Sequence, residues 1–527
     1  MNAAEHGWIE TVHLTPPTLR DNTADVDRLA GALARRVGTD DIRIGPELMR
    51  RLPGALRAWH FSARCVLFRD RGGWVLAGAF DPGDTVSPLG AAIDLGTTRM
   101  AVSLVDLATG EKLAEASPGN PQTGIGPDVL SRIHHADREG GLSELQRSVV
   151  SALDETILDL CKGRGLPPDH LCLMALAGNT TMAHLFMGLE PRWIIREPYI
   201  PAVNRPALLD AESLGFTFNP GARVYVFPNI GSYFGGDVVA GILFSGLHLE
   251  ADPALLVDVG TNAEVVCGTR AWMIACAGAA GPALEGGMSS IGMAAGPGAI
   301  DRIRIDPESR QFEVRTIAGA LPKGICGSGV IDLAAQLFRA GMIDIRGRLV
   351  ASACGSRYVE RDGIAHLIVI PAAEAEGGFD LMIGQPELDS LVRSKAAMYT
   401  ILETLVRSVG LDLKDIRRFF VAGTFGAFID PASAITIGML PDLPLECFKV
   451  VGNSSLGGAL QVLRERESLD QVESIRHGIT YLELNVNQEF MNRFSAAKFL
   501  PHTDIARFPS VAADSGARHG LGGAANL

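Results

Sequence analysis

Apolar and polar positions change rhythm along the chain. Val26, Leu29, Ala30 and Leu33 recur at helical spacing, after the turn and cap residues running from Thr15-Pro16-Pro17 to Asp25. The stretches 63–68 and 74–80 read as strands, and Asp81-Pro82-Gly83-Asp84 reads as a turn and hinge. Together these predict a small α+β unit over residues 1–90.

The next pattern occurs twice. Ala91-Ala92-Ile93-Asp94 ends a strand, and Leu95-Gly96-Thr97-Thr98 forms a tight turn. Residues 100–107 return as a strand, and Ala108-Thr109-Gly110 turns into a third. Much later, Leu255-Leu256-Val257-Asp258 and Val259-Gly260-Thr261-Asn262 open the same kind of three-stranded meander. Two copies so far apart predict a duplicated α/β domain, with lobes at 91–254 and 255–509. Helix signals include Leu456, Ala459, Leu460 and Leu463 behind the cap residues Gly452-Asn453-Ser454-Ser455, and 389–409 with Gly410 as a stop. Residues 510–527 are rich in Gly, Ala and Ser and are expected to be a disordered tail.

Charge and cysteine use narrow the classes. With a formal net charge of −13, the 527-residue chain lacks the basic surface of a nucleic-acid binder. Its longest apolar stretch, 274–300, is broken by Pro282, Glu285 and Pro297, so no membrane span is expected. No basic region followed by an apolar run opens the chain, so no secretory signal is read. The 8 cysteines show no Cys-x-x-Cys spacing, so neither an iron–sulfur cluster nor structural zinc is expected. Scattered free thiols fit a cytoplasmic protein.

Five segments carry candidate chemistry. In the first tip, Gly96 permits close backbone approach, and the N–H groups and hydroxyls of Thr97 and Thr98 suit phosphate oxygens. Asp94 suits Mg²⁺ held through water. Asp258, Gly260, Thr261 and Asn262 repeat this set. The segment from Phe420 to Phe428 reads as a buried strand, a Gly-rich turn at Gly423, Thr424 and Gly426, and a cap. Asn179 and Thr180 either face a ligand or cap a helix, and both readings stay open. The small residues from Ala277 to Gly287 suit close approach of a partner or tight internal packing. His184 reads as a packed helix residue, and His134-His135 as surface. Asp237 and Glu264 are candidates for orienting a hydrolytic water, though Asp237 serves equally to cap a helix.

The paired Asp-x-Gly-Thr hairpins resemble the phosphate loops of the superfamily of sugar and acetate kinases, heat-shock chaperones and actin. There the hairpins face each other across a cleft, and the equivalent of the Gly423–Gly426 turn borders the adenosine. A closer resemblance follows from an ordered set of segments. They are Thr15-Pro16-Pro17-Thr18-Leu19, Asn120-Pro121-Gln122, 128–132 and Gly178-Asn179-Thr180-Thr181-Met182. Further on come Asp258-Val259-Gly260-Thr261-Asn262, Ala280-Gly281-Pro282-Ala283-Leu284-Glu285-Gly286, Gly324-Ile325-Cys326-Gly327-Ser328-Gly329, Ala422-Gly423-Thr424-Phe425-Gly426 and Val451-Gly452-Asn453. In this order, over about residues 10–500, they resemble the ATP-dependent reductive activators of corrinoid proteins.

That resemblance implies a ribonuclease-H-like, actin-like ATPase preceded by a small α+β domain. It implies ATP and Mg²⁺ as ligands and a corrinoid methyltransferase protein as partner, returned from Co(II) to Co(I). It also suggests a homodimer, and places the partner against Ala277, Gly278, Gly281, Pro282 and Glu285. Two departures stand out. The family carries an N-terminal ferredoxin domain with four cysteines, whereas this sequence opens at the linker, so either electrons come from a separate ferredoxin or reductase, or the sequence is a truncated form. Ala277 and Gly278 stand where the family has Ser-Thr. The alternatives are a small-molecule kinase of the same superfamily, and a non-redox scaffold or cofactor loader for a corrinoid protein.

Overall fold

The computed structural model describes residues 7–71, 73–260, 263–278, 291–293, 295–423, 429–482 and 488–513. The chain divides into two compact units: Met1–Phe244 with Ser454–His477, and Ser245–Asn453 with Gly478–Leu527. In the first unit, β1 (Ile9–His13), β2 (Ile42–Ile44), β3 (Ser62–Asp70) and β4 (Gly73–Phe80) form a sheet in the order β1-β3-β4-β2. Helix Asp25–Val37 starts with Asp25 and Asp27 in its first turn and stops at Gly38, whose φ of 70° suits glycine. This helix and Pro46–Ala58 supply Leu29, Leu33, Leu48, Leu52 and Leu56 to the core beneath the sheet. The sequence pattern had indicated one helix and two strands here. The two extra strands are short, and Pro53 lies inside the second helix, whose Leu48, Leu52 and Leu56 recur at helical spacing.

The rest of the first unit is built on β5 (Leu89–Leu95), β6 (Met100–Asp106), β7 (Lys112–Ala116), β8 (Leu171–Gly178), β9 (Leu209–Asp210) and β10 (Arg223–Val226), ordered β7-β6-β5-β8-β10-β9. The second unit opens with β11 (Ala254–Val259), β12 (Ala263–Thr269) and β13 (Trp272–Gly278). Two three-stranded sheets follow: β14 (Ala299–Ile305), β15 (Phe312–Thr316) and β16 (Gly324–Ile325), then β17 (Tyr358–Arg361), β18 (Ile364–Ile370) and β19 (Leu381–Gly384). β20 (Arg418–Ala422), β21 (Phe448–Gly452) and β22 (Ile479–Tyr481) complete the main sheet, ordered β21-β20-β11-β12-β13-β22.

The duplication expected from the two hairpins is therefore a duplication of topology. In each copy an antiparallel three-stranded meander places its first strand against a parallel fourth strand, which pairs in parallel with a fifth. The fourth strand of the first copy, β8, is buried at every residue, as expected for a parallel strand covered on both faces.

Residues 454–477 belong to the first unit, whereas the sequence had assigned them to a continuous second lobe. Helix Ser454–Arg464 packs on β5, β6 and β8. A Cβ at Gly458 would collide with the Ala240 carbonyl, so glycine sets the approach of this helix to Gly236–Ser245. Helix Gln385–Ser408 starts earlier than expected, with Pro386 in its first turn. Ser510 bonds to Asp442 through its N–H and hydroxyl, each at 2.8 Å, and Val511 is buried. The remainder of the expected tail, 514–527, lies outside the described residues. Among the described residues no helix is long and apolar enough to cross a membrane.

Candidate functional site

The first hairpin is held by residues from three later segments of its own unit. Asp94 is the last residue but one of β5, opposite Ala101 on β6 and beside Ala177 on β8. The Ser455 hydroxyl donates to Asp94 Oδ1 at 2.8 Å. Thr97 is half-buried and Thr98 exposed. Asn179 caps helix Thr180–Met187 by accepting from the Met182 N–H at 2.9 Å, and its Nδ2 donates to Thr97 Oγ1 at 3.1 Å. Of the two readings the sequence left open, the cap is made, and the same side chain also bonds to the first hairpin.

Asp237 lies in the first turn of helix Gly236–Ser245, and its Oδ1 accepts from the Val238 N–H at 2.9 Å. A Cβ at Gly235 would sit 2.6 Å from Asp237 Oδ1 and 2.8 Å from the Thr180 N, and would also collide with Asn179 Cα. Glycine at 235 thus lets the chain before this helix pass close to the Asn179–Thr180 turn. Thr180 is buried and donates to the Gly231 carbonyl at 2.8 Å, so its hydroxyl serves the loop before that helix. His184 is fully buried. Its Nδ1 lies 2.7 Å from the Thr180 carbonyl, and its Nε2 accepts from the Val203 N–H at 3.3 Å. This pattern requires the neutral ring, in keeping with burial pulling its pKa down. It is a packed helix residue.

Residues absent from the sequence-based candidates complete the first hairpin. Asn120 Nδ2 donates to the Gly96 carbonyl at 2.9 Å, and the Asn120 N–H donates to the Thr98 carbonyl at 2.8 Å. Arg132, fully buried, donates to the Thr97 carbonyl at 2.7 Å, the Gly126 carbonyl at 2.8 Å and Gln122 Oε1 at 3.2 Å. Burial lowers the guanidinium pKa to about 10, opposed by the charge of Asp128, so it stays protonated at neutral pH. The family resemblance marked the segments holding Asn120 and Arg132 without a role for either. Their contacts join residues 24 and 35 positions apart, beyond local pattern.

The second hairpin repeats the frame in its own unit. Asp258 lies beside Ala422 of β20, as Asp94 lies beside Ala177. The residue after each of these alanines is a glycine close to the hairpin backbone. A Cβ at Gly178 would sit 2.9 Å from the Leu95 carbonyl, and one at Gly423 would sit 2.6 Å from the Val259 carbonyl and 2.7 Å from Asp258 Oδ1. Gly423 also has φ of 86°, which a side chain disfavours. The copies differ in the residue opposite the aspartate. Glu264 is directly opposite Asp258 where Ala101 is opposite Asp94, and directly opposed residues share a sheet face. Two carboxylates on one face suit a divalent cation.

Gly260 closes β11's end of this tip, while Thr261, Asn262, Thr424 and Gly426 lie outside the described residues. So do Gly281, Pro282 and Glu285. Ala277 and Gly278 end β13, opposite Glu264 and Ala263. A Cβ at Gly278 would collide with Ile401 Cδ1, so the small residue there meets a packing need.

Three family descriptions match the chain in order: RACo linker region over residues 8–86, RACo middle region over 89–250, and C-terminal domain of RACo, the ASKHA domain, over 252–512. The corrinoid activation enzyme RamQ of Eubacterium limosum is 30% identical over 414 residues, covering 77% of this chain and 69% of the relative. The Co(II) methylated amine-specific corrinoid protein reductase of Methanosarcina barkeri is 26% identical over 441 residues, covering 76% and 75%. Among solved structures, a reductive activator for corrinoid, iron-sulfur protein matches with a TM-score of 0.87 at 37% identity, covering 97% of this chain and 82% of that one.

Proposed function

Because the chain belongs to the RACo family, we propose that it reductively activates a corrinoid protein at the expense of ATP. The cobalt of the partner gains one electron, passing from Co(II) to Co(I), and a low-potential carrier such as a ferredoxin loses it. The observation that best supports a nucleotide role is the repeated frame: an aspartate one residue before the end of the first strand, a Gly-Thr tip in the sequence, and a glycine following the fourth-strand alanine against it.

In this reading Thr97 and Thr98 serve phosphate oxygens with their N–H groups and hydroxyls, and Gly260, Thr261 and Asn262 do the same from the second tip. Asp94 and Asp258 hold Mg²⁺ through water, because that ion gives up its hydration shell reluctantly. Bound Mg²⁺ would neutralise phosphate charge. Glu264, sharing a face with Asp258, and Asp237, in the first turn of helix Gly236–Ser245, are the carboxylates assigned to orient the attacking water. Gly423, with Thr424 and Gly426, borders the adenosine. Ser455 fixes the rotamer of Asp94 by its hydroxyl bond. ATP supplies conformational work, so no phosphorylated product is required.

Phosphate release with the purified chain tests this. A Co(II) corrinoid protein should stimulate it, and Asp258→Ala should lower it about 10- to 100-fold, the usual cost of losing a group that orients a metal. Transfer of phosphate to a small acceptor, with no response to the corrinoid protein, would overturn the proposal in favour of a kinase.

A further inference from the structure

Three consecutive carbonyls of the first hairpin tip are turned inward and engaged. Gly96 O accepts from Asn120 Nδ2, Thr97 O from Arg132 Nη2, and Thr98 O from the Asn120 backbone N–H. In a trans peptide the carbonyl and the following N–H point in opposite directions. Pinning Gly96 O therefore turns the Thr97 N–H away from the protein, and pinning Thr97 O does the same for the Thr98 N–H. No acceptor among the described residues takes either N–H. The pins also polarise the two peptides, which makes their N–H groups stronger donors.

Arg132 brings a charge as well as a bond. It is fully buried, and no carboxylate forms a salt bridge with it among the described residues. Its acceptors are the carbonyls of Thr97 and Gly126, Gln122 Oε1 and the Met182 sulfur. A buried cation without a contacting anion is costly to fold around, and here it stands directly behind outward-facing amide donors. Asn120 is itself fixed, its Oδ1 accepting from the Gln122 N–H at 3.0 Å, and Gln122 Nε2 donates to the Leu145 carbonyl at 2.9 Å.

We infer that Arg132 and Asn120 are positioning residues for the polyphosphate of the nucleotide: they aim the Thr97 and Thr98 amides outward, and Arg132 sets a positive potential behind them. This rests on the ATP reading above. It predicts a defect confined to phosphate recognition, leaving recognition of the nucleoside intact.

Calorimetric titration of the full chain with ATP and with adenosine provides the first test, on the wild type, Arg132→Met, Arg132→Lys and Asn120→Asp. The ratio of ATP to adenosine affinity should fall on the order of tenfold or more in Arg132→Met and Asn120→Asp, the size of a lost charged or polarising hydrogen bond. Arg132→Lys should recover part of it. Folded variants with an unchanged ratio would overturn the inference. A wild type that binds no ATP would instead overturn the nucleotide reading itself. Should the variants not fold, hydrogen exchange on the wild type decides. ATP should slow exchange of the Thr97 and Thr98 amides, and unchanged exchange with ATP bound would overturn the inference.

Discussion

Lys395 carries its amine into the protein interior. The side chain is fully buried, and Nζ donates to the Phe499 and Pro501 carbonyls at 2.5 and 2.7 Å. Burial lowers its pKa from 10.5 to about 7, and the neutral amine still has two hydrogens for the two carbonyls. A folded-state pKa below the unfolded one means that the unfolded chain binds more protons between those values. The contribution of Lys395 to stability is thus complete above about pH 10.5 and is lost as pH falls through about 7. Urea unfolding at pH 7 and pH 9 checks this. The wild type should gain stability from this site by up to about 1.4 kcal/mol per pH unit, and Lys395→Met should lack that gain. His184 behaves in the same direction at lower pH, because protonating Nε2 removes the acceptor for the Val203 N–H. At this scale the sequence was legible where one residue meets its near neighbours, as in the Asn179 cap. It was silent on Arg132, since nothing in the local pattern says that a guanidinium will reach a carbonyl 35 residues away.

At the scale of elements, glycines decide which backbones can touch. Gly423→Ala should destabilise the second unit by about 1–3 kcal/mol, because it puts a side chain into a positive-φ position and against Val259 and Asp258. Thermal unfolding with and without ATP would show this, with a smaller nucleotide-induced shift in the variant. Gly458→Val should cost about 1–3 kcal/mol by overpacking against Ala240, measured by urea unfolding, while leaving the second hairpin's residues untouched. The strands and turns of both meanders were legible because alternation and a Gly-Thr tip are local signals. The two extra strands and second helix of the N-terminal sheet were not, because β2 spans only Ile42–Ile44 and Pro53 interrupts a helical pattern.

At the scale of the molecule, duplication is the feature that sequence and structure state alike. The two copies share the order of their first five strands, the pairing of each aspartate with an alanine on the fourth strand, and the glycine that follows that alanine; the sixth strand sits on opposite edges. They differ at Ala101 and Glu264, which places one extra carboxylate in the second copy. If that carboxylate orients water, Glu264→Gln should slow phosphate release about 10²-fold or more while ATP affinity stays near the wild-type value, as read by single-turnover hydrolysis beside calorimetry. The return of residues 454–477 to the first unit was hidden in the sequence, since helical periodicity identifies an apolar face without naming the sheet that it covers.

The most direct test mixes the protein with a Co(II) corrinoid protein and an external low-potential reductant and follows the Co(I) absorbance. Co(I) should appear with ATP and the wild-type chain, and should not appear without ATP or with Asp258→Ala. Co(I) formed equally in all three, or in none while the partner binds, would contradict an ATP-driven activator.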